Sequence, residues 1–462
     1  MISSPPDVSD STPSNVLMIS YLFPPVGGIG VQRPLKFVRY LGKYEWSVTV
    51  LTTDGVYSAT MDQKLLSEIP NEVQVVRVRD MVSKLIGRFI TGNPSSPAST
   101  SQNTSASHAS GASTSNSPSL KKRLGQWLKA AKDNLLIPDE SVLWALQAAF
   151  KGRSLVKKHQ IDCIYTTSGP NSTHIAGLLI KRWTGVKWVA DFRDPWMDNM
   201  HYARTGVRRE LESRMEKQVF ENADAIMTVT DSFCELFAGK YPESKSKISL
   251  IRNGVDPNDY ASETPPAPTE GPFTIFYAGI LYPERSPAAF FEALSGLLQS
   301  GQLPAKDIRV QFAGVFDYPG KNDHQQLLEK HRLLDHVELL GYLSHDKVIE
   351  AMEKSHALLL IGEGQAQSAM YIPGKLYEYL YAHRPILALM QEGEGAGIIR
   401  SASAGVVVPP KDTEAIAAAI LQLYQSFATK TPFEPNQAVI RQFSRVEQTK
   451  ELALLMKQLI KK

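Results

Sequence analysis

Lys375 and Glu378 stand three residues apart in "YIPGKLYEYLYAHRPILAL", residues 371–389. On a helix this spacing puts both side chains on one face. Pro373 suits the first turn of that helix, and Leu376, Tyr379 and Leu380 fall at positions that bury it. A lysine at a helix start is disfavoured by the positive end of the dipole. An anion there would supply its partner, so Lys375 is a candidate clamp for a diphosphate. Glu378 is a candidate acceptor for the paired hydroxyls of a ribose. The simpler reading is an exposed ion pair worth roughly a few tenths of a kcal/mol.

Three other stretches carry residues suited to chemistry. "YAGILYPERSPAAF" (277–290) has Gly279, where the chain can turn close to a ligand, and Arg285, able to hold a diphosphate through several donors. "WVADFRDPW" (188–196) ends a buried strand with Asp191, Arg193 and Asp194. Charges cannot continue into a sheet interior, so all three are expected at the mouth of a binding cleft. Asp194 is the candidate to position or deprotonate an acceptor hydroxyl; the alternative is an Asp–Arg pair that stabilises the loop. "PPVGGIG" (24–30) links a strand to a helix, and Gly27, Gly28 and Gly30 let backbone approach a negative group at the helix start. It is no full GxGxxG, because Arg33 stands at the last glycine position, and no Walker A loop. In "TTSGPNSTH" (166–174), Asn171 or Ser172 is expected to cap the following helix.

The elements that must position these residues alternate. "VLMISYLF" (16–23), "SVTVLTT" (47–53), "DCIYTTS" (162–168), "VKWVADF" (186–192), "AIMTVT" and "KISLIRNG" read as buried strands, with helical patterns between them. After the Pro-rich break "PPAPTEGP" (265–272) a second series begins. Its strands are "FTIFYAG", "IRVQFAG", "VELLG", "HALLLIG", "PILALM" and "GVVVP". The expectation is an α/β chain of two doubly wound, Rossmann-like domains facing across a cleft, with ligands beyond the carboxyl ends of the strands. The boundaries expected are a disordered tail at 1–14, a first domain at 15–255, a second at 256–434 and a C-terminal segment at 435–462. Residues 93–119 hold no large apolar side chain and read as a disordered insertion. "LKKRLGQWLKAAKDNLL" (120–136) reads as a basic amphipathic helix, packed on the domain or lying on a membrane surface.

Composition narrows the function. The chain has 462 residues, 43% of them hydrophobic, and a formal net charge of only +3, which does not suggest a dedicated nucleic-acid binder. Its two cysteines, Cys163 and Cys234, have no metal-ligand spacing, which points to a reducing compartment. The longest apolar runs have strand length, short of the roughly 20 residues of a membrane span. The N-terminus lacks the blocks of a signal peptide, so a cytoplasmic protein is expected.

Taken in order, "FPPVGGIG…R", "VADFRDPW", "IRNGVD", "FYAGIL", "GYLSHDKV" and "PGKLYEYLYAHRPILAL" resemble the GT-B glycosyltransferases, most of all the retaining, nucleotide-sugar-dependent enzymes of glycosyltransferase family 4. The resemblance covers nearly the whole chain except the N-terminal tail and residues 93–119. It implies a nucleoside-diphosphate sugar in the C-terminal domain, with Lys375 and Arg285 offsetting the diphosphate charge, Glu378 on the ribose, and Gly28 and Gly279 beside the donor. It implies that Asp194 faces the acceptor, a saccharide or a lipid-linked one at the inner membrane face. It implies no catalytic metal and no cofactor besides the sugar donor, and a C-terminal helix that crosses back to the first domain. The expected role is transfer to an acceptor hydroxyl in cell-surface polysaccharide or glycan synthesis. Two other readings share the architecture: a non-catalytic nucleotide-sugar-binding protein, and a nucleotide-sugar epimerase. One departure stands out. The family often has two glutamates separated by seven residues; with Glu378 as the second, the first position is Met370. Either another group, such as Gln365 or Gln367, substitutes for the missing carboxylate, or the sugar is bound differently.

Overall fold

The structure, a computed structural model, describes residues 13–54, 61–80, 136–202, 204–260, 262, 265, 268, 271–318 and 320–461. The insertion expected at 93–119 and the basic helix expected at 120–136, up to its last residue, lie outside them, as does nearly all of the tail. The chain divides into two compact units. One comprises Met1–Val229, Phe233–Ile251 and Thr449–Lys462, the other Thr230–Ser232 and Arg252–Gln448. The division thus falls after Ile251 rather than 255, and the returning segment starts at Thr449 rather than 435.

The first unit is built on β1 (Ser14–Ile19), β2 (Trp46–Thr53), β3 (Gln74–Val78), β4 (Cys163–Thr167), β5 (Lys187–Phe192), β6 (Ala225–Thr228) and β7 (Ile248–Leu250). They lie in the order β3-β2-β1-β4-β5-β6-β7, every neighbouring pair parallel. Parallel strands need crossover helices, which cover the sheet's faces, so the inner strands are apolar without alternation. All five residues of β4 are buried. The order reverses between β1 and β4, and at that switch point the carboxyl ends open a crevice. Leu452, Ala453 and Met456 of the C-terminal helix Arg445–Ile460 join the core of β1 and β2. Lys457 fixes its far end on Glu45 at 3.0 Å.

A buried ion pair locks this unit. Arg33, on the helix Ile29–Leu41, donates from Nε and Nη2 to Asp191 Oδ2 and Oδ1 at 2.9 and 3.1 Å. Its Nη2 also reaches the carbonyl of Ile251 at 2.8 Å. Tyr165 and Thr167 donate to Asp191 Oδ2 at 2.5 and 3.0 Å. Asp191 therefore does not stand at a cleft mouth as its place at a strand end suggests; it is fully buried at the centre of this network. Burial alone would raise its carboxyl, but the Arg33 charge and the hydrogen bonds from Arg33 and Tyr165 hold it below the usual range.

The second unit repeats the plan with β8 (Phe273–Ile280), β9 (Ile308–Val315), β10 (Val337–Gly341), β11 (Ala357–Ile361), β12 (Ile386–Leu389) and β13 (Gly405–Val408). The order is β10-β9-β8-β11-β12-β13, all parallel, with the switch point between β8 and β11. Here backbone contact does the locking. A Cβ on Gly314 would lie 2.1 Å from the carbonyl oxygen of Gly279, so the end of β9 closes onto β8 only with a glycine at 314. Tyr379, buried on the helix Gly374–Tyr381, accepts from the backbone N–H of Ala278 through its hydroxyl at 3.0 Å. That bond fixes this helix against the end of β8.

No described helix is long and apolar enough to cross a membrane. Cys163 is buried and Cys234 half-buried, and neither forms a disulfide.

Removing one partner of the Arg33–Asp191 pair leaves the other charged and buried. Arg33→Met is expected to destabilise the protein by roughly 3–5 kcal/mol. Arg33→Met combined with Asp191→Leu is expected to recover much of that loss. Urea unfolding followed by tryptophan fluorescence checks both; equal losses in the single and double variants would contradict the pair's role.

Candidate functional site

In the second unit, the chain leaving β8 carries Gly279 and Arg285, and the chain leaving the neighbouring β11 carries Glu363 before the helix that holds Lys375 and Glu378. Gly279 is the next-to-last residue of β8, and the other four follow the two strands that flank the switch point. Gly279 has φ +147°, a conformation that other residues rarely adopt. Arg285 closes a turn onto Tyr282, its N–H donating to that carbonyl at 2.8 Å. Its guanidinium lies 5.3 Å from the Tyr282 ring centroid. Its Nη2 donates to Glu363 Oε1 at 2.9 Å, while Nε is buried without a hydrogen-bond partner.

Pro373 immediately precedes the helix rather than lying in its first turn, with ψ 128°. Lys375 and Glu378 share a face, as their spacing predicts, and bond to each other at 2.8 Å. The ion pair of the simpler reading is therefore present, and an arriving anion would share Lys375 with Glu378. Glu378 has a second neighbour that the sequence does not suggest. His345 opens the helix His345–Lys354 after β10 and brings Nε2 to 3.8 Å from Glu378 Oε1. Burial opposes the charge on Glu378, but the His345 and Lys375 interactions outweigh it and hold the carboxyl at about 2. The Glu378 carboxylate in turn raises the His345 imidazole above its usual value, against its partial burial.

The loop after β11 settles where its carboxylate lies. Met370 is half-buried at the end of the turn Ala366–Met370, and Gln365 and Gln367 are exposed. The buried acid of this loop is Glu363, 8% exposed, seven residues before Met370. Its identity is readable in the sequence, but its role is not, because Glu363 lacks the expected spacing to Glu378.

In the first unit the turn after β1 holds Gly28 at φ +100°, with nothing within 4 Å of where a side chain would begin, so backbone there is open to a ligand. Arg193 braces this turn against the one after β4. It donates to the carbonyl of Gly30 at 2.6 Å through Nη1 and to that of Ser168 at 2.7 Å through Nε. Arg193 is thus a strut, whereas Asp194, the next residue, is exposed. Desolvation nonetheless raises its carboxyl above the usual range, against the charges of Arg193 and His201. The loop is held from below by two buried glutamates of the helix Gly206–Asn222. Glu212 accepts from Trp196 Nε1 at 3.0 Å, and Glu216 from the N–H of Met197 at 3.2 Å. Their i, i+4 spacing in "ELESRME" was the available signal. Asn171 does not cap the helix Ser172–Thr184 through its side chain; Asp139 does so from outside, accepting from Ser172 N at 2.9 Å. Among the described residues no group of three or more His, Cys, Asp or Glu side chains could hold a metal ion.

Comparison with known proteins follows this division. Residues 111–259 match the family model described as Glycosyltransferase Family 4, and residues 272–426 the model Glycosyl transferases group 1. The phosphatidylinositol N-acetylglucosaminyltransferase GPI3 subunit of Saccharomyces cerevisiae is 22% identical over 205 residues, 43% of each chain, so the match spans less than half of that relative. A glycosyltransferase from Rickettsia africae superposes with a TM-score of 0.65 at 15% identity, covering 98% of this chain and all of that one. Anabaena HepE, solved with UDP and glucose, gives a TM-score of 0.59 at 13% identity, covering 96% of this chain and 99% of that one. At these identities the solved structures establish the fold, GT-B, with two Rossmann-like domains.

The His345–Glu378 contact has a pH signature. Because the folded imidazole is raised, its stabilising contribution is complete below the unfolded value, about 6.5, and is lost as pH rises through the folded one. Glu378, depressed to about 2, contributes above the unfolded carboxylate value and loses that contribution as pH falls toward 2. In Glu378→Gln the His345 titration, followed by NMR of its ring protons, is expected to return to the ordinary range. An unchanged His345 midpoint would rule out the contact.

Proposed function

Because the chain belongs to the GT-B glycosyltransferases, we propose that it moves a hexose-type residue from a nucleoside-diphosphate sugar to an acceptor hydroxyl, with retention at the anomeric carbon. The observation that carries this reading is the placement of Arg285, Lys375 and Glu378 on the chain leaving β8 and β11, at the switch point where such sheets take ligands. Arg285 and Lys375 offset the diphosphate as it departs, in place of a metal ion. Glu378, anionic at any working pH, accepts from the ribose hydroxyls. Gly279 allows backbone near the donor, and Gly28 leaves backbone open at the turn after β1. Asp194 receives the acceptor hydroxyl, and a carboxyl raised by desolvation is a stronger base for that task.

HepE was solved with UDP and glucose, which supports a nucleotide-sugar donor. The yeast relative's name pairs a sugar transfer with a phosphatidylinositol, which supports a lipid-linked acceptor; work at the inner face of a membrane, in glycan or surface-polysaccharide assembly, belongs to the same proposal. Met370, where the family pattern puts a carboxylate, favours one second reading: binding of a nucleotide sugar without transfer.

A thermal-shift screen of nucleotide sugars identifies the donor, since a ligand of the native state raises its midpoint. With that donor, Lys375→Ala and Glu378→Ala are each expected to lower transfer by roughly 10²–10³-fold. Near-wild-type turnover in both would remove the proposed donor site. Donor binding by the wild type without transfer or hydrolysis would establish the second reading instead.

A further inference from the structure

The Arg285–Glu363 pair does more than decorate the end of the sheet. Arg285 is one-third exposed and Glu363 only 8% exposed, so the cation faces outward over an anion set beneath it. Both are held by rigid backbone. On one side stand the glycine contact between β8 and β9 and the Tyr282 turn. On the other, Ser368 Oγ donates to the Glu363 carbonyl at 2.9 Å and Gln391 Nε2 to the Gly364 carbonyl at 3.0 Å. A Cβ on Gly362 would lie 2.8 Å from that of Met390, so the residue before Glu363 cannot shift inward. β8 and β11 are neighbouring strands, and the pair staples the two chains that leave them.

We propose that Glu363 is a positioning residue that aims Arg285 at the donor diphosphate and, by its own charge, keeps the nucleoside-diphosphate product from being held too tightly. This deepens the reading of Arg285 as a diphosphate clamp and rests on it. A guanidinium that already neutralises a buried carboxylate attracts a polyanion less than a free one. Its Nη2 is turned to Glu363 and its Nε is buried, which leaves Nη1 as the donor for the ligand. The carboxylate thus contributes geometry and subtracts affinity. Subtracted product affinity favours turnover wherever release limits it.

The two contributions separate in Glu363→Gln and Glu363→Ala. The amide of the first still accepts from Arg285 Nη2 but carries no charge; the second removes both. Calorimetric titration with UDP, GDP, ADP and dTDP finds which diphosphate the wild type binds. For that diphosphate Glu363→Gln is expected to bind about three- to tenfold more tightly, with kcat and the donor KM both lowered. Glu363→Ala, which frees Arg285 to move, is expected to bind it more weakly than Glu363→Gln and to raise KM. A purely structural role would weaken binding in both variants. Equal or weaker binding by a folded Glu363→Gln, its thermal midpoint near that of the wild type, overturns this inference and leaves the donor site standing. If the wild type binds none of the four diphosphates, the inference and the donor-site reading fall together.

Discussion

The buried pair of Arg33 and Asp191 constrains everything around the first binding turn. A charge with no access to water must meet a matched partner and have its remaining hydrogen-bonding positions filled. Asp191 meets that demand with Arg33, Tyr165 and Thr167, and Arg33 with Asp191 and the carbonyl of Ile251. These groups come from the first crossover helix, from β4 and β5, and from the residue that follows β7. The network therefore sets the position of the helix behind Gly28 relative to the turn after β4. It also explains the broken glycine fingerprint. A glycine at position 33 would allow close helix–strand contact; an arginine there fills the same space with a side chain that reaches under the sheet end. The pair is weak grounds for net stability, because desolvation offsets much of its attraction. What it provides is a single arrangement.

The second unit solves the corresponding problem with backbone and tyrosine, and this leaves its charges for the surface of the site. Gly279 and Gly314 close the strand ends, and Tyr379 hangs the helix of Lys375 from Ala278. The two ion pairs above that floor, Arg285 with Glu363 and Lys375 with Glu378, are partly exposed on their cationic sides. Their carboxylates are mostly covered, so a polyanion must share these cations with Glu363 and Glu378 rather than take them away. Each arginine or lysine is held in place before a ligand arrives, and neither is so committed that it cannot be shared.

All the strands but β3, which has no buried residue, were legible because burial on both faces forces short apolar runs; "VELLG" coincides with β10, and most others differ from the observed strands by one or two residues. The glycines were legible from their place after strands. The partners of charged groups were not. Asp191 and Asp194 differ by three positions at one strand end, yet one is sealed in the core and the other is exposed. Nothing local distinguishes them; the distinction comes from Arg33, 158 residues away in sequence. Glu212 and Glu216 look like solvated residues of a charged helix and instead hold the loop that bears Asp194. Glu363 was hidden by spacing, since a search for a carboxylate eight residues before Glu378 ends at Met370.

His345 resolves a difficulty that the donor-site reading creates. If Lys375 turns from Glu378 toward a diphosphate, Glu378 loses a cation while mostly buried, and an uncompensated buried carboxylate is strongly disfavoured. The imidazole at 3.8 Å from its other oxygen is raised toward the charged state by this same carboxylate. It can carry the compensation while the lysine is engaged elsewhere. The two neighbours of Glu378 then have different duties: Lys375 is the movable cation that meets the ligand, and His345 the one that stays. That division requires His345 to come from a different crossover than Lys375, and it does, opening the helix after β10 while Lys375 opens the helix after β11. A lysine that can leave without stranding its carboxylate makes an ordinary i, i+3 ion pair usable as a clamp.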